Sequence, residues 1–120
     1  MNKWVLLEHK VFSAKSFEIH YDFLVENGLD CLTWKLFKIP LPNQASVEIL
    51  RQQNHRLVWL SRLEYKLSGS RGFVKRIDHG IFKNVSDKLD SECLILILDG
   101  ELLNGLFEIS GNSCRLSKNN

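Results

Sequence analysis

The sequence predicts an all-β fold, a sandwich or barrel of short antiparallel strands, and three observations predict it. No long window keeps apolar residues at the i, i+3, i+4, i+7 spacing of an amphipathic helix. Short apolar runs recur instead, separated by turn residues at roughly 8 to 12 residue intervals. One segment, Ser16 to Glu26, alternates strictly and is followed at once by Asn27-Gly28, a pair favoured in two-residue type I′ hairpins.

Taken in order, Trp4 to Leu7 is a short apolar run that reads as the first strand. In Ser16 to Glu26, Phe17, Ile19, Tyr21, Phe23 and Val25 share one face, expected to point inward. Glu18, His20, Asp22, Leu24 and Glu26 share the other. Leu29 to Phe37 should pair with that strand across the Asn27-Gly28 turn. Pro40 and Pro42 lie in Lys38 to Gln44, an aperiodic stretch that reads as a loop. Further strands are expected at Val47 to Leu50, Leu57 to Leu60, Phe73 to Ile77, Cys93 to Leu98 and Leu106 to Ile109. The turns between them are Gly69-Ser70, Asp78-His79-Gly80, Asp99-Gly100 and Gly111-Asn112. Asn84 to Ser91 is a surface loop or a single helical turn, and Ser117 to Asn120 a frayed tail, so residues 1–116 are expected to form the domain.

Length and composition narrow the function classes. A chain of 120 residues suits one core, since two halves would each bury too little surface. With 44% hydrophobic and 25% charged residues, the chain is of ordinary globular type, neither disordered nor fibrous. The longest apolar stretch, Cys93 to Leu98, is far short of the about 20 residues that cross a bilayer, so no membrane partner is expected. The N-terminus has no signal-peptide pattern, and the chain reads as a cytoplasmic monomer. Cys31, Cys93 and Cys114 are odd in number and widely spaced, as expected of buried small hydrophobes in a reducing compartment. The net charge of +2 permits nucleic acid as a partner without arguing for it.

His20 and Asp22, two apart on an alternating strand, leave the same face. An imidazole and a carboxylate presented together can hold a divalent metal or position a phosphate. The bland alternative is the polar outer face of a half-buried strand. His9 and His55 are further candidates that spacing alone does not bring near His20. His79 reads as an exposed turn residue.

Those residues belong to a longer pattern. His20-Tyr21-Asp22-Phe23, then Glu26, Gly28 and Thr33 to Lys38, resembles the HYDFRLE…G…SWAVPKG pattern of the 3′-phosphoesterase domain of bacterial ATP-dependent DNA ligase D. Asn54-His55 is similar to that family's EDHPxxY segment, Ile77 to Phe82 to its WDxGTW turn, and Leu98 to Phe107 to its LxGxxLxGxF segment. The fragments occur in the family's order over about Trp4 to Ile109. The resemblance implies a single small closed or nearly closed antiparallel β-barrel that trims or dephosphorylates nucleic-acid 3′ ends in DNA repair. It also implies manganese held by two histidines and an aspartate. His20 and Asp22 match two ligands directly. Trp4 to His9 resembles the family's FVVQxH strand and puts His9 on the third; an ungapped match would put Ala14 there and leave the site one ligand short. His55 would contact the phosphate or protonate the leaving oxygen, and Lys38 would balance developing charge.

The chain also departs from the family. Leu24 stands where the family has an arginine, Trp59 where it has a tyrosine, Gln53 and Asn54 where it has two acids, and Val47 at a second arginine. An apolar group at Leu24 grips no phosphate. Arg51, Arg56, Arg62 or Arg71 could replace the lost cation, although spacing places none of them. Two functions are therefore expected in competition: a manganese-dependent 3′-phosphoesterase with a weakened catalytic set, and a noncatalytic nucleic-acid or protein-binding barrel. The latter would use the basic residues Arg51, Arg56, Arg62, Lys66, Arg71, Lys75 and Arg76. An enzyme of some unrelated small substrate is a third class. A ligase or polymerase acting in trans is the protein partner expected of the first.

Overall fold

The computed structural model describes residues 2–69 and 71–118. The strands are β1 (Lys3–Phe12), β2 (Phe17–Asn27), β3 (Asp30–Leu36), β4 (Val47–Arg56), β5 (Glu64–Lys66), β6 (Phe73–Asn84), β7 (Cys93–Asp99), β8 (Asn104–Ser110) and β9 (Ser113–Ser117). They form one antiparallel sheet in the order β1-β2-β3-β4-β9-β8-β7-β6-β5, and β6 also pairs with β1. Hydrogen bonding thus runs in a ring through all strands but β5, giving the nearly closed all-β barrel expected. The seam is β4 against β9, where Val47 meets Cys114 and Glu48 meets Ser113. No helix among the described residues is long and apolar enough to cross a membrane.

The barrel interior is filled by side chains from alternate positions: Trp4 and Leu6, Phe23 and Val25, Leu32, Trp34 and Leu36, Ile49, Leu94, Leu96, Leu98, Phe107 and Leu116. A second apolar cluster lies on the opposite face of the sheet, built from Val5, Leu7, Leu24, Cys31, Leu60 and Val74. Trp4 to Leu7 are therefore all buried, because β1 is covered on both faces, the circumstance that produces an unbroken apolar run. The cover over the second cluster is the segment after β4. There Leu57–Leu60 forms a 3-10 turn and not the strand its apolar run suggested.

Several local expectations are corrected. The β2–β3 turn is centred on Gly28-Leu29, with Asn27 opposite Asp30. Only Gly28 of this pair has positive φ, 70°, as a type II′ turn with leading glycine requires. Phe17 is 54% exposed, since β2 extends beyond the barrel at that end, whereas Phe23 and Val25 are fully buried. Asp78-His79-Gly80 is not a turn but the middle of β6. Its Asp78 carboxylate accepts the backbone N–H groups of His79 (3.0 Å), Glu101 (3.0 Å), Leu102 (2.9 Å) and Leu103 (2.7 Å), tying the β7–β8 turn to β6. Ser117 belongs to β9, and the Lys118 N–H donates to Asn43 Oδ1 at 3.2 Å, so neither is frayed. Asn119 and Asn120 of the expected tail, and Ser70 of the Gly69-Ser70 turn, lie outside the described residues.

Candidate metal centre

The β1–β2 register decides the site. Val11 meets Glu18, His9 meets His20 and Leu7 meets Asp22, so His9, His20 and Asp22 emerge on one face, the face of the second apolar cluster. Ala14 lies in the loop between these strands, and His9 is the histidine adjoining His20. The loop itself is closed by serines: Ser16 N–H donates to Ser13 Oγ at 3.1 Å, and Ser13 N–H to Ser16 O at 2.9 Å.

His9 Nδ1 is 3.1 Å from His20 Nε2 and 3.7 Å from Asp22 Oδ2, and His20 Nε2 is 3.4 Å from Asp22 Oδ1. Ligands bound at about 2.1 Å sit about 3.0 Å apart at adjacent octahedral corners and about 3.4 Å apart in a tetrahedron. The trio is thus already spaced as ligands of one ion, and its donor atoms all lie within 4.8 Å of one another.

For His9 the tautomer is the one a ligand needs. His9 Nε2 is 2.8 Å from the Arg71 carbonyl oxygen, which only accepts, so Nε2 carries the hydrogen and Nδ1 presents a lone pair. Among the described residues His20 Nδ1 is a buried polar atom without a hydrogen-bond partner. Glu18 Oε1 lies 3.7 Å from it and is itself 3.5 Å from Lys35 Nζ. A histidine ligating through Nε2 carries its hydrogen on Nδ1, and a carboxylate just beyond is the usual acceptor. Two neutral imidazoles and a carboxylate suit a divalent cation of intermediate softness such as manganese. The residues present fit such an ion.

Around the trio is a cavity of about 420 Å³, lined also by Lys35, Gln52, His55, Trp59 and Arg71 over a floor of Leu7 and Val74. His55 reaches it through a bulge. Thr33 pairs with Gln52, but Cys31 pairs with His55, so β4 carries one extra residue there. The extra residue lets positions 52 and 55, of opposite parity, serve the same cavity. His55 Nδ1 donates to Gln53 O at 3.0 Å, which leaves the lone pair of the neutral ring on Nε2.

Lys38 is exposed after β3 and does not line the cavity. Lys35, opposite Asp22, supplies the ammonium there in its place. Leu24 is fully buried in the second apolar cluster and projects into no open cavity, contrary to expectation. Of the arginines considered, Arg71 lines the cavity, its guanidinium donating to Ser68 O and Oγ at 3.2 and 2.6 Å. Arg51 lies over Trp34 and pairs with Asp90, and Arg62 lies against Trp59 and Tyr65. Burial pushes the Cys31 and Cys114 thiols up to about 12, so both are inert hydrophobes, while Cys93 is exposed.

No protein-family model matches the chain, and no curated protein matches it.

Proposed function

We propose that this barrel is a divalent-cation-dependent phosphoesterase acting on nucleic-acid 3′ ends, with manganese held by His9, His20 and Asp22. The single observation that carries the proposal is the meeting of those three donors, at ligand-to-ligand distances, in a cavity that also holds the cationic side chains of Lys35 and Arg71 and, from a bulged strand, Gln52 and His55. The resemblance to the ligase D 3′-phosphoesterase supports the substrate class. When bound, the ion would supply Lewis-acid polarisation of a phosphoryl oxygen and a more acidic water.

The chain's own residues account for the remaining needs of the reaction. Lys35 and Arg71 place positive charge beside the cavity, the role that Leu24, being buried, does not fill. His55 offers Nε2 as a proton acceptor when neutral and a donor when charged, suited to the leaving oxygen. Val74, Leu7, Trp59 and Leu67 form an apolar wall that limits water and strengthens each electrostatic contact. The chain acts alone or beside a ligase or polymerase supplied in trans.

The test is a primer strand ending in a 3′-phosphate, or in one ribonucleotide, incubated with the protein and manganese. Release of phosphate or a shortened end is expected, reduced at least 100-fold in His20→Ala and Asp22→Asn. Tight manganese binding at these residues with no turnover of either end would reject the enzyme and leave the noncatalytic nucleic-acid-binding barrel.

A further inference from the structure

A strip of aromatic and cationic side chains adjoins the ligand cavity from the β5 side. Tyr65 pairs with Val74, Val74 with His9 and His9 with His20, so these four residues form one row across β5, β6, β1 and β2 and share a face. Trp59 lines the cavity and meets Tyr65 edge-on, with ring centroids 5.3 Å apart and planes at 85°. The Arg62 guanidinium lies over both rings, 4.6 Å from the Trp59 centroid and 4.0 Å from that of Tyr65. Among the described residues no carboxylate pairs with Arg62 and no acceptor takes its N–H groups. Glu64, the nearest acid in the chain, alternates to the other face of β5, opposite Lys75. The segment is held in place by the Arg76 N–H, which donates to Leu63 O at 2.8 Å. Tyr65 is 41% exposed, so the strip is open to solvent.

We infer that Trp59, Arg62 and Tyr65 bind the single-stranded segment leading to the 3′ end, with a phosphodiester on the donor edge of Arg62 and a base against the exposed ring of Tyr65. This deepens the phosphoesterase reading of the cavity and rests on it. A guanidinium stacked on aromatic faces keeps its N–H donors in its own plane, where they match phosphate oxygens. Rings joined to such a cation hold single strands without regard to sequence. The connection to the site is direct, because Trp59 belongs both to the strip and to the cavity. The distance agrees: Tyr65 is two strands from His9 along the row, about 10 Å at ~4.8 Å per strand. Stacked nucleotides rise ~3.4 Å each along a strand, so a phosphate at the ligands puts the strip beside about the first three nucleotides behind it. A protein partner would also favour tryptophan, tyrosine and arginine, but a strip that runs into a cavity of metal ligands and cations points to the substrate's own chain.

Two probes separate the strip from the metal centre: a single-stranded oligonucleotide with a 3′-phosphate, and a mononucleoside 3′-phosphate too short to leave the cavity. Binding is measured by calorimetry in EDTA, so that nothing is cleaved. Wild type is expected to bind the oligonucleotide on the order of tenfold or more tighter than the mononucleotide. Tyr65→Ala should lose on the order of tenfold for the oligonucleotide while keeping wild-type manganese affinity, and Tyr65→Phe should restore the loss. Arg62→Gln should flatten the log–log salt dependence of oligonucleotide binding by about 0.7, one phosphate on a single strand. Tyr65→Ala and Arg62→Gln variants that both bind the oligonucleotide like wild type overturn the strip. So does a wild type that binds the oligonucleotide no better than the mononucleotide, which leaves this face to a protein partner. Manganese-dependent turnover of the oligonucleotide is scored separately: turnover with unchanged affinity in both variants sinks the strip alone, whereas absent turnover with binding that depends on Tyr65 and Arg62 sinks the phosphoesterase and keeps the strip.

Discussion

Asp22 and Asp78 are the two buried carboxylates among the described residues, 8% and 5% exposed, and they are treated in opposite ways. Asp78 takes four backbone N–H groups and ties one turn of the barrel to a neighbouring strand. Asp22 faces two imidazoles at 3.4 and 3.7 Å. A buried charge is costly unless paired or hydrogen-bonded, and Asp78 is fully provided for by the chain. Asp22 is provided for only by groups that can themselves bind a cation. The lesson is that the first carboxylate is an architectural pin, while the second is a buried charge on a rigid strand that faces two imidazoles.

Breaking each side of this comparison should have different results. Asp78→Ala leaves the N–H groups of His79, Glu101, Leu102 and Leu103 without their acceptor, and the expected loss is about 4 kcal/mol at ~1 kcal/mol for each, the low end for groups that are mostly only part-buried, measured by urea unfolding. Asp22→Ala should leave the stability of the metal-free protein unchanged or raise it, because it removes a buried charge whose desolvation the chain repays poorly. Equal losses in the two variants would erase the distinction. Leu24→Arg sharpens it on the site side. A charge placed among Val5, Leu7, Cys31, Leu60 and Val74 should cost about 3 kcal/mol and should not raise phosphoesterase rate. A variant as stable as wild type and faster would restore Leu24 to the site.

Smaller effects are expected further out. Glu18→Gln removes the carboxylate nearest His20 Nδ1, and manganese affinity should fall about tenfold, the low end for such outer partners, by calorimetric titration. Unchanged affinity would make Glu18 a surface residue only. Least of all, Cys31 and Cys114 should resist alkylation at pH 8 while Cys93 reacts, read by mass spectrometry. Their thiols are raised when folded, so the stability they contribute is complete below the ordinary thiol range and is lost as pH rises toward about 12.

Much of this was legible in the sequence where one periodicity decided it. The alternation of β2 sets His20 and Asp22 on one face, and the chain of short runs predicts the barrel's strands. The site was less legible because it depends on register. Placing the β2–β3 turn at Asn27-Gly28 puts Thr33 opposite Asp22; the observed Gly28-Leu29 turn puts Lys35 there, a placement that the resemblance, which points to Lys38, does not contain. The Ser13 to Ser16 loop holds no glycine or Asn-Gly signal, so only the family resemblance brought His9 to His20. His55 joins through a bulge that no spacing shows. Leu57 to Leu60 misled because four apolar residues fit a 3-10 turn as well as a strand. β5, fully exposed, and β9, with only Cys114 and Leu116 buried, offer too little pattern to detect.

The central claim is that His9, His20 and Asp22 hold one divalent cation, and titrating manganese into the nitrogen-15-labelled protein tests it most directly. Paramagnetic broadening should begin at His9, His20 and Asp22, spread with distance into Lys35 and His55, and vanish from this region in Asp22→Asn while the fold is kept. Broadening centred on another part of the barrel, or none at millimolar manganese, would contradict it.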